Sequence, residues 1–427
     1  MAPLPFKMIK SAVAICTLYA SIGGVLRNAV GEDWPAFRGP RGDGISLEEK
    51  FPIEWSGEKN IRWKIPLAGN GNSSPIVSRG NVFVTYATDE GSQRHLLCCD
   101  RSNGKVLWDK AVEFAKGEVT HQTNPYCGST PAADGERVVV CHGNAGIYCY
   151  DYEGNELWSK KVGSVQHIWG YGTSPVLYDG MVIMNIGPGV ETSLVALSLQ
   201  DGSVLWQTPE PGGTNDTNGR LVGSWSTPII VDHTGQTQII CSMPTRVVAY
   251  APENGAILWS IAGMSSERGD LVYTSPIVKG DLGVAMGGYK GPAFGFRLGG
   301  SGDVTETHRL WRTEDEQPQR IGSGVIIGDH LFMANAGPGT AQCIELATGK
   351  ELWKERLAGD HWGSLIFAGG HLYATNQEGT TTAFLPDPMK FTQISQNAIG
   401  EPTNGTPAFS EGEIFLRTSS SLFCIGE

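Results

Sequence analysis

The stretch Asp100-Arg101-Ser102-Asn103-Gly104-Lys105-Val106-Leu107-Trp108 decides the fold, because it keeps coming back. It returns as Tyr152-Glu153-Gly154-Asn155-Glu156-Leu157-Trp158, as Asp201-Gly202-Ser203-Val204-Leu205-Trp206 and as Asn254-Gly255-Ala256-Ile257-Leu258-Trp259. A worn copy ends at Arg309-Leu310-Trp311, and a clean one runs Thr348-Gly349-Lys350-Glu351-Leu352-Trp353. From Trp108 onward, successive tryptophans of the phrase stand 42 to 53 residues apart. Recurrence at such a period marks a repeat architecture. In repeat proteins the site lies on surfaces that the repeats create jointly.

Each phrase reads as a hairpin. An apolar run such as residues 96–99 leads into a polar turn with Gly beside Asn or Asp, and a second run ends in Leu-Trp. Gly with Asn or Asp supplies the positive-φ positions that a tight turn needs. Upstream stands a second marker, Ser/Thr-Pro, at Ser74-Pro75, Thr130-Pro131, Ser174-Pro175, Thr227-Pro228, Ser275-Pro276 and Thr406-Pro407. Degenerate copies are Ser323-Gly324 and Ser364-Leu365. Another strand follows each marker, so one unit holds four strands and no convincing helix, the pattern of a propeller blade.

The markers number eight, whereas the repeat tryptophans number seven: Trp63, Trp108, Trp158, Trp206, Trp259, Trp311 and Trp353. Trp63 precedes the first marker, so it belongs to an outer strand without its blade. After Pro407 there is room for only three strands, 407–410, 413–418 and 421–425. The N-terminal strand is therefore expected to supply the fourth and close the ring, which removes open edges. The seventh blade lacks its Trp, and Phe391 is the expected stand-in. The reading is an all-β, eight-bladed β-propeller of four-stranded antiparallel blades, with residues 60–427 as one domain behind an N-terminal extension, 32–59.

Residues 1–31 differ. Lys7 and Lys10 precede an apolar stretch, 11–26, and Ala29-Val30-Gly31 offers small residues for cleavage. This pattern is that of a secretory signal peptide, and the apolar stretch is short for a membrane span. Cys16 sits in unbroken apolar sequence, unlike a lipidation site. The expected location is periplasmic or extracellular. Removing Lys7, Lys10 and Arg27 leaves 29 basic against 44 acidic residues, a net charge of −15. Such a surface attracts neither nucleic acid nor anionic lipid, so no nucleic-acid partner and no membrane span are expected. Eight cysteines remain, without Cys-x-x-Cys spacing, and no metal site is expected. Cys141 and Cys149 flank one hairpin turn; they could face each other across strands or be small buried residues.

The phrase ending in Gly-Lys-x-Leu-Trp resembles the pyrroloquinoline-quinone (PQQ) repeat over about residues 60–427. That repeat builds the eight-bladed quinoprotein alcohol dehydrogenases. It also builds non-enzymatic relatives, including the BamB propeller of outer-membrane β-barrel assembly. The leader Asp33-Trp34-Pro35-Ala36-Phe37-Arg38-Gly39-Pro40 is similar to the start of exported PQQ-like propellers. The resemblance implies that the repeat tryptophans wedge between neighbouring blades, a structural role. It leaves a PQQ- and calcium-dependent alcohol or sugar dehydrogenase, and a BamB-like assembly factor, as alternatives to a binding or scaffold protein.

The segments that lead into each Ser/Thr-Pro marker run across one face of a propeller. They carry His121 and Asn124; His167, Trp169 and Tyr171; Arg220 and Trp225; Arg268, Asp270 and Tyr273; Arg320; and Asp360, His361 and Trp362. The ring axis gathers these connectors, so they are expected to line a funnel. Trp, Tyr and Arg are the residues that binding hot spots use, and loops on a rigid scaffold are a usual place for a site. The expected site is His167, Trp169, Tyr171, Arg220, Trp225, Arg268, Tyr273, Arg320, His361 and Trp362, binding a protein partner or a small or polymeric ligand. No catalytic residue and no cofactor is assigned. Asp270, Asp360, Asn124, Asn218 and Asn404 are the donors a calcium–quinone alternative would draw on. The neighbours Cys98 and Cys99 lie in a strand, where successive side chains face opposite ways; a bridge between them is not expected.

Overall fold

The computed structural model describes residues 1, 31–189, 191–210, 221–314 and 317–427. The signal segment, except Met1 and Gly31, falls outside them, as do Asn218 and Arg220. No described helix is long and apolar enough to cross a membrane.

Eight blade sheets succeed one another along the chain, and a separate two-stranded sheet pairs two connectors. Blade 1 runs from the inner strand Ile76–Ser78 to the outer strand Val106–Glu113, and blade 2 from Ala132–Ala133 to Glu156–Lys160. Blade 3 runs from Val176–Tyr178 to Val204–Pro209, and blade 4 from Ile229–His233 to Ile257–Ala262. Blade 5 runs from Ile277–Lys279 to Arg309–Arg312, and blade 6 from Val325–Ile327 to Glu351–Arg356. Blade 7 runs from Ile366–Ala368 to Gln393–Ala398. Blade 8 takes three strands from the C-terminus, Ala408–Ser410, Glu413–Arg417 and Ser421–Ile425, and its outer strand, Ile61–Pro66, from the N-terminus. The ring is closed as the strand count requires.

The repeat phrase has a mechanical explanation. In every blade the register slips once between the third and fourth strands. In blade 1, Cys98 pairs with Trp108 and Cys99 with Val106, so Leu107 is the extra residue of a β-bulge. The bulge leaves the Leu in solvent (Leu107 is 46% exposed) and turns the Trp onto the next blade. There the ring meets the phrase's own glycine. A Cβ on Gly104, Gly154, Gly202, Gly255 or Gly349 would come within 2.4 to 2.9 Å of Trp63, Trp108, Trp158, Trp206 or Trp311. Each indole N–H donates to a carbonyl of the neighbouring turn: Trp63 to Arg101, Trp108 to Tyr152, Trp158 to Leu199, Trp206 to Pro252, Trp311 to Leu346 and Trp353 to Asp387. The glycine both makes the turn and leaves room for the ring.

Blade 7 corrects one expectation. Ala383 pairs with Ser395, so Ser395 occupies the Trp position. Phe391 precedes the strand and packs edge-on against Trp353 at 5.7 Å. In blade 8 the outer strand is Ile61–Pro66, so no hairpin turn joins the third and fourth strands to receive a ring. Trp55 of the extension is buried instead, stacked on Tyr373, and Ser395 Oγ donates to Ile53 O.

The markers form a second, inner seam. Ser74 N donates to Thr130 Oγ1 at 2.9 Å, Thr130 N to Ser174 Oγ at 3.0 Å, and Ser174 N to Thr227 Oγ1 at 3.1 Å. Ser275 N donates to Ser323 Oγ, Ser323 N to Ser364 Oγ, Ser364 N to Thr406 Oγ1 and Thr406 N to Ser74 Oγ, all at 2.8 to 3.0 Å. Seven of the eight junctions thus share one hydrogen bond. At the remaining junction, between blades 4 and 5, Ser275 Oγ is buried without a partner.

All eight described cysteines are free and buried. Cys99 and Cys98 enter two different core clusters, as strand alternation requires. Cys141 lies opposite Ile147 and Cys149 opposite Val139, so the two do not face each other across the hairpin.

Candidate functional site

The connectors and the hydroxyl seam together enclose a cavity of about 380 Å³ on the ring axis. Its floor comes from a part of the chain that the repeats did not point to. The extension crosses the ring along the inner strands. Trp34 exchanges backbone hydrogen bonds with Val77 of blade 1, and Pro35 O accepts from Ala133 of blade 2. Arg38 Nη2 donates to Gly324 O at the start of blade 6, and Gly44 and Ser46 bracket Phe367 of blade 7. Phe37, between these anchors, presents its ring to the cavity. The leader is therefore a plug, held by blades on both sides of the axis.

One wall is aromatic. Trp169 and Trp225 have ring centroids 6.1 Å apart, Trp225 and Tyr273 5.3 Å, and Trp169 and Tyr273 6.0 Å. Tyr289 extends the wall 6.5 Å beyond Trp169. Trp225 is fixed: its indole donates to Gly170 O, and its backbone N–H donates to Val272 O. Trp362 lines the cavity from blade 7.

The remaining lining is mostly polar. Asn72 Nδ2 and Asn404 Nδ2 both donate to Thr123 O, and Asn124 Nδ2 donates to Trp169 O and Tyr171 O. These bonds orient three amides around the mouth. His121, Thr123, Gln319 and the marker hydroxyls complete the surface. Among the described residues the lining holds no Asp, Glu, Lys or Arg.

Of the ten residues expected at the site, the structure brings Trp169, Trp225, Tyr273 and Trp362 to the cavity. The other described ones do not line it. His167 is buried behind the wall, edge-on to Trp225 at 4.7 Å, with Nδ1 accepting from Trp169 N. Burial holds its pKa down to about 4. His361 is fully buried beside Trp362 and is likewise lowered to about 4, chiefly by burial. Tyr171 points into the core, where its hydroxyl meets Thr173, and burial raises its phenol. Arg320 is buried against Gly291 O, and loss of solvent lowers it to about 10. Arg268 is exposed and outside the lining, and Arg220 is outside the described residues. Asp270 pairs with Val222 in a connector ladder, and neither it nor Asp360 lines the cavity. Some connector residues face the cavity and others pack underneath, and composition does not distinguish them. Phe37, Asn72, Tyr289 and the marker hydroxyls were missed as lining. Only the Ser/Thr recurrence at the markers signalled the last of these.

The profile of the family described as outer membrane protein assembly factor BamB matches residues 92–355 and 303–387. BamB from Moraxella catarrhalis superposes with a TM-score of 0.60 at 13% identity, over 86% of this chain and 99% of its own. A europium-containing methanol dehydrogenase superposes at 0.53 with 10% identity, over 93% and 98%. The quinohemoprotein alcohol dehydrogenase of Comamonas testosteroni gives 0.53 at 12% identity, over 92% of this chain and 81% of its own. At such identities the likeness shows the fold. Tetrathionate hydrolase of Acidithiobacillus ferrooxidans is 24% identical over 189 residues, which are 41% of this chain and 35% of that protein's length. Because the profile match covers most of the chain and its blades carry the repeat throughout, the chain belongs to the PQQ-repeat propeller family described as outer membrane protein assembly factor BamB.

Proposed function

We propose that this chain is an exported binding propeller whose site is the plugged cavity on its axis. The observation that carries the reading is the lining: aromatic faces, oriented amides and hydroxyls, and no charged side chain among the described residues. A small concave site with a few fixed polar groups is what a ligand pocket requires.

The same donor set does not fit a calcium–quinone centre. Calcium takes several oxygen ligands, normally including carboxylates, and a dehydrogenase needs a base for the alcohol proton. The quinone itself is polyanionic and needs cations to offset its burial. The described lining offers amide and hydroxyl oxygens and one imidazole, His121, but no carboxylate, Lys or Arg, and no group of three or more His, Cys, Asp or Glu among the described residues could hold a metal ion. Titration of purified mature protein with PQQ and calcium is expected to give no bound-quinone spectrum and no dye reduction with an alcohol. Both appearing together would overturn the binding reading.

A protein partner at the same face is the second reading. It is favoured by exposed apolar residues on the connectors, Val119, Ile168 next to Trp169, and Tyr289 in the cavity lining. A partner held by the wild-type protein and lost with Ile168→Asp or Tyr289→Ala would favour it over a small ligand.

A further inference from the structure

Resting on that reading of the cavity, we infer that its ligand is an uncharged saccharide, or the uncharged end of one, and that Ser275 Oγ is the hydrogen-bonding anchor. The marker hydroxyls of the other seven blades each accept a backbone N–H from the preceding blade, so one lone pair of each is committed to the seam. Ser275 carries the same marker and lines the same cavity, but its oxygen accepts nothing and donates to nothing. It is 4% exposed, so it has no access to bulk water that would make this costless. A buried hydroxyl without a partner is destabilising, and a ligand that completes it recovers that loss.

The position of Ser275 points to the class of ligand. It follows Tyr273 by two residues, and Tyr273 meets Trp225 and Trp169 in the aromatic wall. The free hydroxyl therefore shares the cavity with an apolar wall whose three rings are inclined to one another at 47° to 76°, a cleft of ring faces and edges. Around the mouth, the amide nitrogens of Asn72, Asn124 and Asn404 are already anchored on carbonyls. Hydroxyls both donate and accept. A pyranose has apolar C–H faces for the rings and a rim of hydroxyls for Ser275, Gln319 and Asn72 Oδ1, while Thr123 Oγ1, Asn124 Oδ1 and Asn404 Oδ1 each already have one protein partner. A planar heterocycle would use the wall and leave most of that rim unpaired. A uronic acid or phosphate would bury a charge that no described lining residue neutralises.

The test is calorimetric titration of the mature protein with a panel of neutral disaccharides, their uronic-acid counterparts and adenine. Neutral disaccharides are expected to bind, uronic acids more weakly. Ser275→Ala is expected to weaken neutral disaccharide binding about tenfold, the effect of leaving one hydrogen bond unmade. Trp169→Ala and Trp362→Ala are expected to abolish it. Equal affinity in Ser275→Ala and wild type would overturn the anchor. Binding of adenine that depends on Trp169, with no saccharide bound, would overturn the ligand class and leave the cavity as the site. Saccharide binding retained in both Trp variants would place it elsewhere and overturn the cavity reading as well. Circular dichroism and the urea midpoint of each variant separate these losses from unfolding.

Discussion

Seven junctions of this ring are built alike, and the one between blades 4 and 5 is not. At the regular junctions the marker hydroxyl closes the inner seam, while the outer Trp donates to a carbonyl of the next blade or, in blade 7, yields its place to Ser395. At the exceptional junction the seam is open at Ser275, and Trp259 donates to Gln238 of its own blade. Other contacts hold these blades together. The connectors pair in parallel, Leu221–Ser224 with Gly269–Val272. The long turn of blade 5 reaches back, so that Gly302 and Asp303 pair with Trp259 and Ser260. A single helical turn, Thr305–His308, then leads into the outer strand. The lesson is that repeats tolerate one departure when the lost bond is replaced above and outside. The departure leaves a free polar group in the cavity wall.

The largest expected effect tests the outer half of this comparison. Trp259 is fully buried under the blade 5 turn, whereas Trp353 at a regular junction is only half-buried. Trp259→Ala should cost about 3–5 kcal/mol by urea denaturation, the range for deleting a buried aromatic. Trp353→Ala should cost clearly less. Equal losses would show that the blade 5 turn adds nothing to the junction.

The second effect is acid sensitivity. His167, behind the aromatic wall, and His361, across the ring, are both held near pKa 4 by burial, against an ordinary value of 6.5. The folded state keeps them neutral while the unfolded chain takes up protons. The stability this represents is therefore intact above about pH 6.5, and it is lost as pH falls from there through 4. The slope in that window is about 1.4 kcal/mol per pH unit for each proton taken up. Melting temperature against pH checks it, and His361→Gln should flatten the curve. An unchanged curve in that variant would remove His361 as a cause.

What was legible in the sequence follows from the same comparison. The Gly-x-x-Leu-Trp phrase announces the blades, because the turn, the bulge and the inter-blade ring all sit within one short segment. Ring closure was legible because Trp63 precedes its first marker. The lining of the candidate cavity was legible only in part. Trp169, Trp225, Tyr273 and Trp362 line the cavity, but their neighbours His167, Tyr171 and His361 turn under it. That difference depends on connector backbones that have no period. Phe37 reaches the axis from 37 residues before Ser74 of the first marker, and no local pattern announces a plug.

The third effect is the cost of opening a regular junction. Ser174→Ala removes the acceptor of the Thr130 N–H, which is buried. Leaving a buried donor unpaired costs about 1–3 kcal/mol. The urea midpoint should fall accordingly, and Ser174→Thr, which keeps the oxygen, should restore most of it. Failure of Ser174→Ala to lower the midpoint would mean that the seam is ornamental and that the strands alone hold the ring.

The smallest effect is the most telling. Ser275→Ala removes the one marker oxygen that no amide uses, while its backbone N–H still donates to Ser323. No bond is lost, and an unsatisfied buried hydroxyl disappears. The midpoint should stay within about 0.5 kcal/mol of wild type or rise. A residue that can be removed without loss of stability, from a position where its seven counterparts hold the ring, is kept for something other than the fold. A fall as large as that of Ser174→Ala would show instead that Ser275 holds its junction in solution, and the contrast between the eighth junction and the other seven would collapse.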